Sequence, residues 1–553
     1  MKAKASLCIV LGLALVFSFA ACNKTSTENG ATSGTSTTPD QSTATDNIGS
    51  AAPSAPAEKT IDSITIGVSD LLGRFLAGVS PAESESGCNA VFDPIFKPDL
   101  RTKGTSSDIL ESWGWQDDTT FVMKMKENVY FSNGDLATSE DLLFSFLSHP
   151  ERGSNYLNAT GMIFDQCKTT DEFTVELKFE RPYVALTKII WIYLINKAWS
   201  QEVGWDSQEW YKPVGSGPYK VSEYVSDSYM VLDARDDYWN KDAGPITVKQ
   251  WIIRYYPDPA TMFMDLELGN IKFCSVQSTD YGRYINDGGA EGYECFLVSR
   301  GIVSYFTFGF LNNPIWQDQR LREAIAYCAK WDDLGRVTYE DLFVPANTFV
   351  AKDSPLYVEV GTREYNPDKA RALLAEAGYD HDNPLVLKTF MMESAVYKNF
   401  CEGFQYYANQ VGIQCDIQYG DVSSAIAKWI DEETRGIDWG YMYSVSDNPQ
   451  LDLLTSIMMA GDMHGVTFTY VDDDEFQKVF ANIANSINAD LQERSSRELQ
   501  QIIFDKTLMI PVAETQNAFG FRTDTFSEEQ LKFYIAGPSN FELGRLGMAS
   551  AWN

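Results

Sequence analysis

Between residues 385 and 419 the chain spells strand, helix and strand with almost no linker. Leu385 to Phe390 reads as a buried strand. Val396, Phe400, Phe404, Tyr407 and Val411 then fall at helical spacing, and the stripe stops at Gly412. Ile413, Cys415, Ile417 and Tyr419 alternate with polar neighbours, the period of a strand. Two strands joined through a helix with short links must run parallel, so this part is expected to be an α/β lobe with a right-handed crossover. Asn366-Pro367-Asp368 ahead of it predicts a helix start, with a cap, a proline in the first turn and an acid on the dipole, and Gly378 predicts its end.

Other elements follow from the same periodicities. Ile64, Ile66 and Val68 predict a first strand. Residues 121–126 and 173–179 alternate with period two, as half-buried antiparallel strands do. Thr138 with Asp141 three residues on predicts a capped helix through Leu147. Further helices are expected around Phe476, Val479, Phe480 and Ile483 and around Leu499, Ile502 and Ile503, with Pro511 at the entry to a late strand. At 553 residues, 44% hydrophobic and 13% aromatic, the chain can build more than one large core. Its 77 acidic against 44 basic residues give a net charge of -33, which would be repelled by a phosphate backbone; nucleic-acid binding is not expected.

The amino end carries its own message. Lys2 and Lys4 precede an apolar run over residues 7–19 that ends at Ala20-Ala21-Cys22. That pattern reads as a secretory signal rather than a permanent membrane span. Phe19-Ala20-Ala21-Cys22 is similar to a bacterial lipobox, so residues 1–21 are expected to be removed and Cys22 to carry lipid; a plain signal peptide ending beside a cysteine is the alternative. Residues 23–59 hold no aromatic side chain and are rich in Ser, Thr, Ala, Asn, Gly and Pro. Such a stretch cannot offset its chain entropy by burial and reads as a tether, spanning ~33 Å root-mean-square. Losing Lys2 and Lys4 makes the remaining chain two charges more negative, so lipid rather than surface charge would hold it at the membrane.

Several clusters invite chemical readings, each with a plainer one beside it. Gly215-Ser216-Gly217-Pro218-Tyr219 lacks the Lys and the spacing of a phosphate loop and reads as a structural turn. Asp472-Asp473-Asp474-Glu475 lacks the Gly and distal Glu of a calcium loop and suits a helix start. Met458, Met459, Met463 and His464 could hold a soft metal but read better as packing. His149, His381 and His464 are far apart in the sequence. Cys328, Cys401 and Cys415 read as core residues, and a Cys274–Cys295 bridge is conceivable. No G-x-S-x-G, H-E-x-x-H or G-x-G-x-x-G occurs, so no catalytic constellation is legible.

Leu110-Glu-Ser-Trp113, Asp118 to Lys126 and Phe131 to Asp141 together resemble the N-terminal signature of the family 5 extracellular solute-binding proteins, the lipid-anchored receptors of oligopeptide, dipeptide and nickel ABC importers. Val214-Gly-Ser-Gly-Pro-Tyr219 with Asp237-Tyr238-Trp239, Leu321-Arg-Glu-Ala-Ile325, Asn366 to Tyr379 and Gly412 to Ile417 continue the resemblance in order over residues 60–553.

The resemblance implies an α/β, two-lobed periplasmic-binding-protein-like fold (type II, cluster C) with an extra N-terminal subdomain. Lobe I would comprise residues 60–87, 187–300 and 507–553, the subdomain 88–186 and lobe II 301–506. It further implies a monomer without cofactor or resident metal, which binds a peptide or other small solute between its lobes, closes by a hinge and docks on an ABC permease at the outer face of the cytoplasmic membrane or in the periplasm. Family peptide receptors pair an acid in the second lobe with the peptide ammonium. Here that stretch is Trp439 to Pro449, and the matching position falls on Met442 or Val445, neither acidic; Asp447 is the nearest acid. This implies either a displaced anchor or a ligand without a free amino terminus. Ligand contacts implied by the family's cleft-facing segments are Asp70, Tyr305, Trp439, Tyr441, Tyr443, Asp447, Gln516 and Asn517. Core burial is the alternative for each aromatic. The aromatics and amides suit peptides and sugars alike. A non-peptide solute such as an oligosaccharide or metal chelate stays open as cargo, and a secreted hydrolase is the remaining reading.

Overall fold

The computed structural model describes residues 60–69, 72–75, 87–98, 105–152, 157, 160–183, 186–187, 192–310, 313–340, 342–352, 354–421, 424–425, 428, 437–443, 471–484, 486–534 and 546–548. The expected signal and tether (residues 1–59, with Cys22), Asp70, Asp447 and Met458, Met459, Met463 and His464 lie outside them.

The first strand, β1 (Ile64–Val68), buries Ile64 and Ile66 as its alternation predicts. Next come β2 (Leu110–Asp117), β3 (Thr120–Met125), α1 (Ser139–Leu147), β4 (Lys168–Asp171) and β5 (Thr174–Lys178). These four strands form an antiparallel sheet in the order β2-β3-β5-β4, over a core that includes Phe121, Met123, Val175 and Leu177. The predicted capping box starts α1, with the Thr138 N–H donating to Asp141 Oδ2 at 2.9 Å.

Strands β6 (Tyr219–Val225), β7 (Tyr229–Ala234) and β8 (Gln250–Tyr255) join β1 in the order β1-β8-β7-β6; β1 pairs with β8 in parallel, the others antiparallel. The Gly215-Ser216-Gly217 turn is pressed against the 90–91 backbone. A Cβ on Gly215 would lie 2.0 Å from the Val91 carbonyl oxygen, and one on Gly217 would lie 2.5 Å from that of Ala90. Only glycine fits there, which is a packing reason and not a phosphate-binding one.

Then follow α2 (Pro259–Glu267), β9 (Phe273–Val276) and the 16-residue β10 (Tyr293–Phe308). Beyond it lie α3 (Gln319–Cys328), α4 (Trp331–Tyr339), β11 (Phe343–Pro345) and α5 (Pro367–Glu376). Asn366 caps α5 by accepting from the Lys369 N–H at 2.9 Å, and Gly378 past its end has φ +91°. The predicted strand–helix–strand is β12 (Val386–Met392), α6 (Ala395–Gln410) and β13 (Gln414–Gly420), with β12 and β13 in parallel register. The stripe of α6 buries Val396, Phe400 and Phe404.

Next come β14 (Trp439–Tyr443), α7 (Asp474–Ala484), α8 (Ala489–Lys506) and β15 (Met509–Arg522), and a short helix, Glu528–Tyr534, follows. A five-stranded sheet runs β9-β15-β10-β14, with β11 on β15. Pro511 lies inside β15, not at its entry: the strand begins two residues earlier, and the pairing with β10 skips Val512 beside the proline. The acidic run sits at the start of α7 as expected, and Lys506 Nζ pairs with Asp473 at 2.9 Å and Glu475 at 2.8 Å.

Among the described residues no two cysteines are joined in a disulfide. Cys274 and Cys295 both face Gly520 in the register, on opposite sides of β15. Two strand spacings, ~9.6 Å, exceed the reach of a disulfide, so the Cys274–Cys295 bridge is ruled out. Cys328 and Cys401 are core residues, as read from their helices.

Candidate functional site between two cores

Strands β10 and β15 each contribute to two separate cores. At one end Phe296, Phe519 and Phe521 pack with Ile64, Ile66 and Trp251 of the β1-β8-β7-β6 sheet and with Trp210 of the short turn Gln208–Tyr211. At the other end Tyr305, Phe306, Phe308, Ile510, Val512 and Ala513 pack with Trp316, Phe400, Phe404 and Trp439. A 16-residue strand extends ~50 Å, long enough to serve both.

The segment between the cores is irregular. The pairing runs Ser299 with Gln516 and then jumps to Val303 with Glu514, so β10 bulges over residues 300–302, and Gly301 has φ +64°. Residues 299–304 and 514–517 belong to neither core. A bulged pair of strands between two packed bodies is where bending disturbs the fewest contacts.

This junction holds Gln516 and Asn517, both half-buried. The Gln516 N–H donates to the Leu342 carbonyl at 3.0 Å. It also holds Glu514, which is 5% exposed and which the sequence reading did not single out. The signal was present: Glu514 is the one charged residue between Lys506 and Arg522. Its Oε1 accepts from the Ser299 hydroxyl, and its Oε2 accepts from the Lys352 N–H at 3.0 Å.

The three described aromatics go elsewhere. Tyr305, Trp439 and Tyr441 are 0–1% exposed in the second core. Trp439 stacks on Phe306 with centroids 5.0 Å apart, and Tyr305 meets Phe349 edge-on at 5.2 Å. Tyr441 lies on Phe400 with centroids 3.6 Å apart, and its hydroxyl donates to that of Tyr339 at 2.9 Å. Core burial therefore describes these three, and the cleft role expected for them is corrected: Trp439 and Tyr441 face Phe404 and Phe400 of α6, Tyr441 also reaches Tyr339 of α4, and Tyr305 on the other sheet face meets Phe349, none of which a local reading can see. Tyr443 contributes its backbone, paired with Ser304. Replacing Tyr441 with Phe is expected to lower stability by about 1 kcal/mol, the worth of one hydroxyl pair, with ligand affinity unchanged; urea unfolding and titration calorimetry check the two halves.

Two cores joined by two long exchanged strands, with a half-open polar junction between them, define a two-lobed α/β protein of the periplasmic-binding type. The model of the bacterial extracellular solute-binding proteins, family 5 (middle part), matches residues 105–469, and the chain belongs to that family. An ABC transporter peptide-binding protein of Brucella ovis is 28% identical over 367 residues, covering 62% of this chain; the chain spans 66% of that protein's length. The ABC transporter substrate-binding protein CtaP of Listeria monocytogenes superposes with a TM-score of 0.70 at 18% identity, covering 88% of this chain and 98% of that one. NikA from Brucella suis, in complex with Fe(III)-EDTA, does so at 0.69 and 18%, covering 87% and 99%. At such identities the likeness to the two solved structures is one of fold.

Proposed function

We propose that this chain is the lipid-anchored substrate-binding component of an ABC importer, capturing oligopeptides between its lobes and delivering them to a membrane permease. The observation that carries the reading is the junction itself, where two strands pass between two cores with their pairing interrupted. A ligand that touches both lobes only when they close shifts the population towards the closed form by its differential affinity. No bond of the cargo changes. Gln516 and Asn517 remain proposed contacts; Asp70 and Asp447 are proposed on the family's pattern alone. The peptide-binding relative supports this cargo. Lipid attachment at Cys22 is proposed from the sequence, and among the described residues no helix is long and apolar enough to cross a membrane.

A second reading keeps the receptor and changes the cargo to a chelate or other non-peptide solute. It is favoured by the non-acidic Met442 and Val445 and by the chelate held by the Brucella suis neighbour. Denaturing mass spectrometry of small molecules retained by the purified chain separates the two. A peptide mixture is expected; a single chelate or sugar supports the second reading. Small-angle scattering that is unchanged by any retained solute would remove hinge closure.

A further inference from the structure

Glu514 stands beside the interruption of the crossover strands, paired in register with Val303 of β10 on one side and Val344 of β11 on the other. Its partners come from both sides of the junction. Ser299, on the lobe I half of β10, donates its hydroxyl to Oε1 and itself accepts from the Gly301 N–H at 3.2 Å. Lys352, in the loop after β11, donates its backbone N–H to Oε2 at 3.0 Å. Both donors are neutral, and among the described residues no cation is paired with Glu514. A carboxylate offers about four acceptor positions, so about two remain. A buried carboxylate without a cation costs several kcal/mol, a poor choice for a structural tie alone. Gln516, two residues along on the same strand face, is half-buried, so that face opens towards solvent within one strand repeat.

We propose that Glu514 is a cation-recognition point of the interlobe site, taking an ammonium or guanidinium group of the bound ligand. This inference rests on the reading of the chain as a peptide receptor. The cargo's cation completes the charge balance that the protein leaves open, so binding and closure are coupled at the hinge. The cation comes either from the peptide amino terminus or from a Lys or Arg side chain.

The test uses the mature chain and three pentapeptide pools: free amino termini without Lys or Arg, the same pool N-acetylated, and an N-acetylated pool with one Lys. The wild type is expected to retain a cationic pool about tenfold or more over the acetylated neutral one, the size of a charge-assisted hydrogen bond. Which cationic pool it prefers identifies the source. Glu514→Gln is expected to abolish that preference while still retaining the neutral pool. An unchanged preference, or an equal loss of all three pools, overturns the proposal and leaves the peptide reading standing. Retention of no pool by the wild type overturns the peptide reading and this inference with it. Should the Gln variant not fold, Glu514→Asp is expected to keep the preference at reduced size, and a preference of unchanged size overturns the proposal.

Discussion

Replacing Arg322 with Ala is expected to destabilise the part of the chain around the second core by about 3–5 kcal/mol, among the largest single-residue effects in the chain. Arg322 lies on α3 at 5% exposure and points its guanidinium at the C-terminus of α8. Nε donates to the Lys506 and Thr507 carbonyls at 3.1 and 3.2 Å, Nη2 to Lys506 again at 2.8 Å, and Nη1 to the Trp316 carbonyl. Those carbonyls have no helical partner of their own, and a cation there also meets the negative end of the helix dipole. Thr507, in the left-handed region at φ +49°, is the turn from which the chain enters β15. Arg322 therefore sets the start of one crossover strand. Burial lowers its pKa, yet the group starts from so high a value that it stays charged at neutral pH. Arg322→Lys is expected to recover only a small part of the loss, because a single ammonium cannot span three carbonyls that a planar fork reaches together. Urea midpoints of the three forms, followed by tryptophan fluorescence, measure this; equal stability of the Lys variant and wild type would contradict the fork.

Asp93 is expected to give the second large effect, with a signature in pH. It is 3% exposed and accepts from the Tyr238 hydroxyl at 3.0 Å and the Trp239 indole N–H at 2.9 Å, while its own N–H donates to Ser216 Oγ at 3.0 Å. It thereby ties the Gly215-Ser216-Gly217 turn to the Tyr238-Trp239 pair, across the boundary of two cores. Burial raises its pKa from 3.8 to about 6; the nearby charge of Asp108 adds to the rise, and the hydrogen bonds offset only part of it. A raised acid holds its proton longer in the folded state than in the unfolded one. Stability from this group is thus fully present below pH 3.8 and is lost as pH climbs to about 6, by ~3 kcal/mol. Asp93→Asn cannot ionise, so the wild type should lose ~3 kcal/mol relative to it over that window. Asp93→Ala strands two buried donors and is expected to cost about 3 kcal/mol at pH 5. Urea midpoints between pH 4 and 8 test both, and a pH-independent difference between wild type and Asp93→Asn would refute the raised pKa.

The cases that sequence reading handled well are those in which a local pattern meets a local demand. The Thr138–Asp141 box, the Asn366 cap and the glycine after α5 work within a few residues, so the elements around them were legible. So was the parallel pairing of β12 and β13, because a short helical link allows no other direction. The tight turn at Gly215-Ser216-Gly217 and the helix start at the acidic run were legible too, since both depend on a few neighbouring residues. The aromatics of β14 were not: alternation says that Trp439 and Tyr441 share a face, and says nothing of what covers it.

What the amino-acid sequence determined alone was the secondary structure, the α/β class and the family, since hydrogen-bonding period, capping and turn chemistry act over ten residues or fewer. Only the tertiary structure decided that β10 and β15, about two hundred positions apart, lie side by side between two cores. Pairing at that separation depends on which faces remain to be buried once every lobe has packed, and that alone places Glu514 at the bend and Tyr441 in the interior.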